Sequence, residues 1–254
     1  MSRIITICNQ AGGVGKTTLV RDLGYELALR GQRVLLVDLD PQASLTIFLG
    51  LDPWEQQTTI YDALRDHNTP LPIVNLLNLS LVPSNLKLAE IEAELATVLL
   101  REFRLKEALN PIIDLYDLIF IDCPPSLGML VINALCAAHE VLIPIQCEFK
   151  SWMGTDGLFD TIMKVSKQAN KRLAVLGVVP TLFDSRTSLH AKIAEQIRTQ
   201  LGQVTRVFDP VRRAIACADA STKGVPIQIY DPKAEVVTDI RKIVEAVLNG
   251  QETR

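Results

Sequence analysis

The sequence predicts an α/β fold with a doubly wound, mostly parallel sheet. Three observations predict it. Short apolar runs alternate with helical patterns along the chain. The runs are near-continuously apolar, as in Val-Leu-Leu-Val at 34–37, which suits strands covered on both faces. The first run breaks into glycines that open a helix, the order strand, glycine loop, helix.

The elements follow in order. Residues 3–8 read as a buried strand, 17–29 as a helix stopped by Gly31, and 33–39 as the second strand. Residues 43–49 and 60–64 read as short helices, and the Pro- and Asn-rich 67–79 as loop. A short strand at 79–83 precedes a long helix over 86–109. Strands at 116–121 and 141–146 flank a helix at 130–138. Then come helix 154–169, strand 173–182, helix 188–201, a short strand at 204–207, helix 214–222, an extended 226–229 and a last helix at 234–248. With no internal repeat or linker in 254 residues, the expectation is one domain spanning 1–254.

The glycine loop carries the first chemistry. Gly12, Gly13 and Gly15 let backbone N–H groups, those of Val14 and Thr18 included, turn around phosphate oxygens. The helix that starts near Lys16 points its positive end at the same place. Lys16 supplies a charge for the β- and γ-phosphates, and the Thr17 hydroxyl is placed to ligate Mg²⁺. Acidic groups end the next strands, at the edge where open α/β sheets bind ligands. Asp122 is placed to hold Mg²⁺ through water, Asp40 to orient the attacking water, and Asp38 to help hold the metal's water shell. The residues therefore predict a nucleoside-triphosphate hydrolase that uses Mg²⁺.

Composition narrows the classes. No apolar run approaches the ~20 residues of a membrane span, so a soluble, cytoplasmic protein is expected. Cys8, Cys123, Cys136, Cys147 and Cys217 lack a C-x-x-C pair and read as reduced core thiols. That spacing disfavours an electron carrier with an intersubunit iron–sulfur cluster, which needs paired cysteines. Net charge is −3, unpromising for a nucleic-acid binder, yet the charges are unevenly spread. Residues 161–254 hold about 15 Lys and Arg against 9 Asp and Glu, an excess that can form a basic face. Lys164, Lys167, Lys171, Arg172, Lys192, Arg198, Arg206, Arg212, Arg213, Lys223, Arg241 and Lys242 could bind phosphates without reading sequence. The last helix has an apolar stripe, Val236 to Val247, better explained by core packing than by a membrane.

The doubled glycine in Gln-Ala-Gly-Gly-Val-Gly-Lys-Thr-Thr (10–18) resembles the deviant Walker A loop of the ParA/MinD ATPases. Val-Asp-Leu-Asp-Pro-Gln-Ala (37–43), Ile-Asp-Cys-Pro-Pro-Ser (121–126), Ile-Pro-Ile-Gln-Cys-Glu (143–148) and Gly-Val-Pro-Ile-Gln-Ile-Tyr-Asp-Pro (224–232) resemble that family's later segments. The resemblance covers essentially the whole chain. It implies an ATP-driven homodimer that binds DNA non-specifically, with Asp40 as the hydrolytic aspartate. Nucleotide contacts are implied at Gln42 and Glu148, and adenine contacts near Phe183 and in the segment Pro210 to Ala214, with Arg212 as a base contact. The family's signature lysine precedes the two glycines; here Ala11 stands there. Lys150, just past a strand's C-terminal end, is the candidate replacement, and a solvated surface lysine is the plain alternative. A missing signature lysine resembles the McdA branch, which positions carboxysomes over the nucleoid, and implies an adaptor resembling McdB. A plasmid or chromosome partition ParA, with a ParB partner, is the alternative.

Overall fold

The computed structural model describes residues 2–148 and 155–252. Strand β1 (Arg3–Ile7) runs into the glycine loop and helix α1 (Lys16–Leu29). Then follow β2 (Val34–Asp38), α2 (Ser44–Phe48), α3 (Ile60–Arg65), β3 (Val74–Leu76) and β4 (Leu79–Val82). The middle of the chain carries α4 (Ile91–Glu94), α5 (Arg104–Leu109), β5 (Leu118–Asp122), α6 (Met129–Ala137) and β6 (Glu140–Gln146). After these come α7 (Asp156–Gln168), β7 (Ala174–Thr181), α8 (Ser188–Leu201), α9 (Ile215–Thr222), α10 (Ile227–Tyr230) and α11 (Glu235–Glu252).

The strands form a seven-stranded sheet in the order β3-β4-β2-β5-β1-β6-β7. Every pairing is parallel except β3 with β4. Strand β1 lies between β5 and β6, with Ile5 opposite both Phe120 and Glu140. Alternate residues feed two apolar layers. Ile4, Leu35, Val37, Ile119 and Ile121 join one with α3, α6, α7 and α8. Ile5, Ile7, Leu36, Leu118 and Phe120 join the other with α1 and α11. Both faces are covered, which is why the strands read as unbroken apolar runs. The stripe on α11, Val236, Val237, Ile240, Ile243, Val244 and Val247, is buried in the second layer. Among the described residues no helix is long and apolar enough to cross a membrane.

Four segments differ from the sequence expectation. Residues 86–109 are not one helix but short α and 3₁₀ pieces interrupted at Val98–Leu100. Leu100 there is left-handed at φ 56°, and Leu99 is 90% exposed. The expected loop 67–79 contains β3, joined to β4 by a tight turn with Leu77 and Asn78 at positive φ. Residues 204–207 give one isolated bridge, Val178 to Val207, rather than a strand. The expected extended 226–229 is the short helix α10, whose N-cap is Pro226.

Where β6 meets β7 the register slips between Val141 and Leu142. Gly177 sits at the slip with φ 157°. A Cβ there would lie 2.6 Å from the Phe208 ring and 2.7 Å from the Arg206 carbonyl oxygen. Gly177→Ala is therefore expected to destabilise the fold by about 2 kcal/mol or more. A urea unfolding midpoint unchanged from wild type would contradict this.

Candidate functional site

The glycine loop leaves the C-terminal end of β1, an interior strand of the sheet. Gly13 (φ 72°) and Gly15 (φ 86°, the N-cap of α1) take left-handed conformations that a side chain resists. Neighbouring strands fix the loop. The Thr181 hydroxyl on β7 donates to the Val14 carbonyl at 2.8 Å. Asn9 adds a brace on the same side, its amide donating to the Pro144 carbonyl on β6 and its oxygen accepting the Ala11 N–H. Lys16 folds back so that Nζ donates to the Ala11 carbonyl at 2.9 Å. Burial lowers the pKa of Lys16, and the nearby Asp122 and Asp40 oppose that shift.

Asp122 ends β5 fully buried, and its two carboxylate oxygens lack a hydrogen bond of good geometry. Burial pushes its pKa well up, with Asp38 adding to the rise and the nearby Thr17 hydroxyl and Lys16 opposing it. A buried carboxylate left this short of partners fits a divalent cation held between it and the Thr17 hydroxyl. Among the described residues no cluster of three or more His, Cys, Asp or Glu could hold a metal alone. The site therefore suits an ion whose remaining ligands are phosphate and water.

Asp38 works differently. One oxygen accepts from the Thr46 N–H and hydroxyl at 2.8 and 2.7 Å, the other from the Asp40 N–H. The Thr46 hydroxyl in turn accepts the Ser84 N–H, and the Ser84 hydroxyl donates to the Asp40 carbonyl. Asp38 thus folds the 40–46 turn, in which Ala43 is left-handed at φ 53°. Asp40 stands at the rim of this turn, mostly buried, with Oδ1 accepting the Gln42 N–H.

Burial raises the Asp38 pKa from 3.8 to about 7. The sign follows from linkage. The folded state holds the proton more tightly than the unfolded state, so this stabilisation is complete below pH ~4 and lost as pH rises through 7. Asp38→Asn cannot titrate and should flatten that part of the stability profile. Urea midpoints of both proteins from pH 4.5 to 7.5 test this; parallel profiles would contradict it.

The loop opens on a cleft of about 790 Å³. Residues 12–18, Asp40, Ser44, Ile47, Phe48 and Pro125 line its phosphate side. Leu182, Arg213 and Ala214, with Ile215, Cys217, Ala218, Ser221 and Thr222 on α9, contribute the far wall. That wall suits a flat apolar group, with Ile215, Cys217 and Ala218 beside polar Ser221 and Thr222.

The structure brings together Gly12, Gly13, Val14, Gly15, Lys16, Thr17, Thr18 and Asp40, with Asp122 beneath. Of the expected 210–214 segment, Arg213 and Ala214 reach the cleft wall, whereas Phe183, Arg212, Gln42 and Glu148 do not line it. Phe183 pairs by its backbone with Val211 and Arg213, and its ring lies near His190 on α8. Leu182 takes the place at the wall. The Arg212 guanidinium is held by Asp239 and Glu235, so Arg213 next to it faces the cleft. Gln42 lines a separate hollow with Trp54 and Leu86, and Glu148 is exposed. Lys150 lies outside the described residues. Phe48, Leu182 and α9 carried no sequence signal, being ordinary apolar or small residues brought in by long-range packing.

Comparison with known proteins agrees with this geometry. The AAA domain family matches residues 2–175. The sporulation initiation inhibitor protein Soj of Bacillus subtilis is 42% identical over 97% of this chain and 99% of its own length. The chromosome partitioning protein ParA of Caulobacter vibrioides is 37% identical over 99% and 96%. Among solved structures, a cobyrinic acid a,c-diamide synthase from Mycobacterium smegmatis, with bound ATP analog and magnesium, superposes with a TM-score of 0.88. It is 34% identical and covers 100% of this chain and 97% of that one. Apo McdA from Cyanothece superposes at 0.87, with 25% identity, over 97% and 100%. Loop, sheet order and relatives point the same way: this chain belongs to the AAA domain family that includes Soj and ParA, and it is a P-loop ATPase.

Proposed function

We propose that this protein is a ParA-type partition ATPase: ATP and Mg²⁺ join two copies, the dimer binds DNA without reading sequence, and a ParB-like partner stimulates hydrolysis and release. The observation that carries the ATPase part is the convergence of Gly13, Gly15, Lys16 and Asp40 on one cleft, with the buried Asp122, short of hydrogen bonds of good geometry, beneath it. Relatives at 37–42% identity across nearly the whole chain support partition as the task. They support it better than carboxysome positioning with an McdB-like adaptor, which rests on Ala11 and a 25% identical structural neighbour.

In the reaction, the loop N–H groups and the N-terminus of α1 hold the phosphates. Lys16 exchanges the Ala11 carbonyl for β- and γ-phosphate oxygens. Thr17 and Asp122 would hold Mg²⁺, which neutralises charge on those oxygens when bound. Asp40 orients a water for in-line attack on the γ-phosphorus. The bond to the bridging oxygen breaks, and ADP and phosphate leave. Lys150 remains the proposed replacement for the signature lysine.

The basic residues of the last third divide into two groups. Arg198 and Lys242 pair with Asp209, Arg241 with Glu26, and Arg212 with Asp239 and Glu235. Lys164, Lys167, Lys171, Arg172, Lys192, Arg206, Arg213 and Lys223 are exposed and carry no ion pair among the described residues, and, Arg213 aside since it lines the cleft, they are the better candidates for phosphate contact. DNA retention is expected with ATP and not with ADP, with affinity falling log-linearly as salt rises. Failure to bind DNA in any nucleotide state at low salt would overturn the partition reading. Loss of ATP-dependent binding in Lys150→Ala would support Lys150 in its proposed role.

A further inference from the structure

Helix α1 carries an arginine that the hydrolytic reaction does not use. Arg21 is completely buried, one turn past the phosphate loop. Its guanidinium makes a two-pronged pair with the adjacent Asp22, Nε to Oδ1 at 2.7 Å and Nη2 to Oδ2 at 3.1 Å. The remaining nitrogen, Nη1, donates to the Ser221 hydroxyl at 2.8 Å. Ser221 donates onward to the Cys217 carbonyl at 2.9 Å. The guanidinium carbon also lies 5.8 Å from the centre of the Phe48 ring, within reach of a cation–π attraction. Asp22 extends the junction. Its Oδ1 accepts the Ile227 N–H, and its carbonyl accepts the Gln228 side-chain amide.

Placement gives this junction meaning. Ser221 and Cys217 lie on α9, the wall opposite the phosphate loop, and Phe48 lies on α2, the helix that follows Asp40. A buried ion pair is a costly way to pack a helix, since apolar residues of similar volume serve stability as well or better. Its planar, multi-donor geometry can instead hold several elements in one arrangement.

We propose that Arg21 is a positioning residue for the nucleotide's base: it fixes α9 relative to the phosphate loop, so that the base and the phosphates are gripped at one spacing. This rests on the reading of the cleft as a nucleotide site. The contact with Phe48 ties the same spacing to α2, so a well-seated base also supports the turn that carries Asp40.

Two ligands separate this role from a merely structural one. Inorganic tripolyphosphate with magnesium engages the phosphate loop without a base; β,γ-imido ATP with magnesium engages both ends. The double variant Arg21→Met/Asp22→Asn removes both charges together, avoiding an unpaired buried carboxylate. By calorimetric titration it should bind the ATP analogue at least ~10-fold more weakly than wild type and tripolyphosphate within twofold. Arg21→Lys keeps the charge beside Asp22 but cannot span Asp22 and Ser221 together, so it should lose analogue affinity by an intermediate factor. If the double variant does not fold, as judged by circular dichroism, Arg21→Lys alone decides. Equal losses for both ligands, or analogue affinity within twofold of wild type, would overturn the proposal. A wild-type protein that binds neither ligand would instead overturn the nucleotide-site reading.

Discussion

Lys16→Ala is expected to reduce ATP turnover by at least ~100-fold, since removing a single preorganised charge donor from a transition state costs on that order. The magnitude follows from what remains. Among the described residues lining the cleft, Arg213 alone carries a second positive charge, and it stands on the far wall. The carboxyl groups of Asp40 at the rim and Asp122 beneath would face the phosphates without the Lys16 side chain between. Lys16 is also pre-positioned, because its bond to the Ala11 carbonyl keeps Nζ over the loop before nucleotide arrives. Affinity for ATP should fall together with turnover. A phosphate-release assay with calorimetric titration measures both. Turnover within tenfold of wild type would mean that another cation reaches the γ-phosphate.

Asp40→Ala should separate binding from hydrolysis. Turnover is expected to drop ~100-fold or more, the scale of lost general-base or water-positioning help, while ATP affinity stays within about threefold. The protein should then persist as an ATP-bound dimer on a sizing column. The backbone carbonyl of Asp40, not its side chain, accepts the Ser84 hydroxyl. Its carboxylate contributes only the bond from the Gln42 N–H to the turn. The turn is held mainly by Asp38 and Thr46, so it should survive the substitution. Should affinity fall in step with turnover, Asp40 would be a builder of the turn and not the residue that places the water.

The central elements were legible in the sequence because two signals coincided there. Strands β1, β2, β5 and β6 are buried on both faces and read as apolar runs, and the glycine loop has both a spacing and a chemical reason. Residues 86–109 misled because Leu, Ala and Glu favour helix throughout; what breaks the helix is Leu100 turning left-handed, which its identity does not announce. Strand β3 was hidden by a turn at Leu77–Asn78 without the usual Asn-Gly pair. Pro226 suggested extended chain, yet proline suits the start of a helix equally well. At the site, residues 12–18 and Asp40, which the sequence singles out, line the cleft, whereas Asp38 at the end of β2 does not. The lining residues on α9 were not singled out, since only the folding of residues 213–222 against the α1 end of the sheet brings them near residue 13. Arg212 and Arg213 show the limit at one-residue scale. Sequence cannot say which of two neighbouring arginines faces Asp239 and which faces the cleft.

The place of β1 in the sheet bears on how the protein is made. The strand that leads into the phosphate loop lies between β5 and β6, so Ile5 waits for Phe120 and Glu140 before either of its edges is covered. The loop's own braces, Pro144 and Thr181, come later still. Pairings this distant along the chain make for slow folding. During synthesis the loop sequence emerges early, but the surface that grips a phosphate forms only after residue 181 has left the ribosome. A nascent chain released before that point would expose an apolar interior strand with no partners, a natural substrate for chaperones.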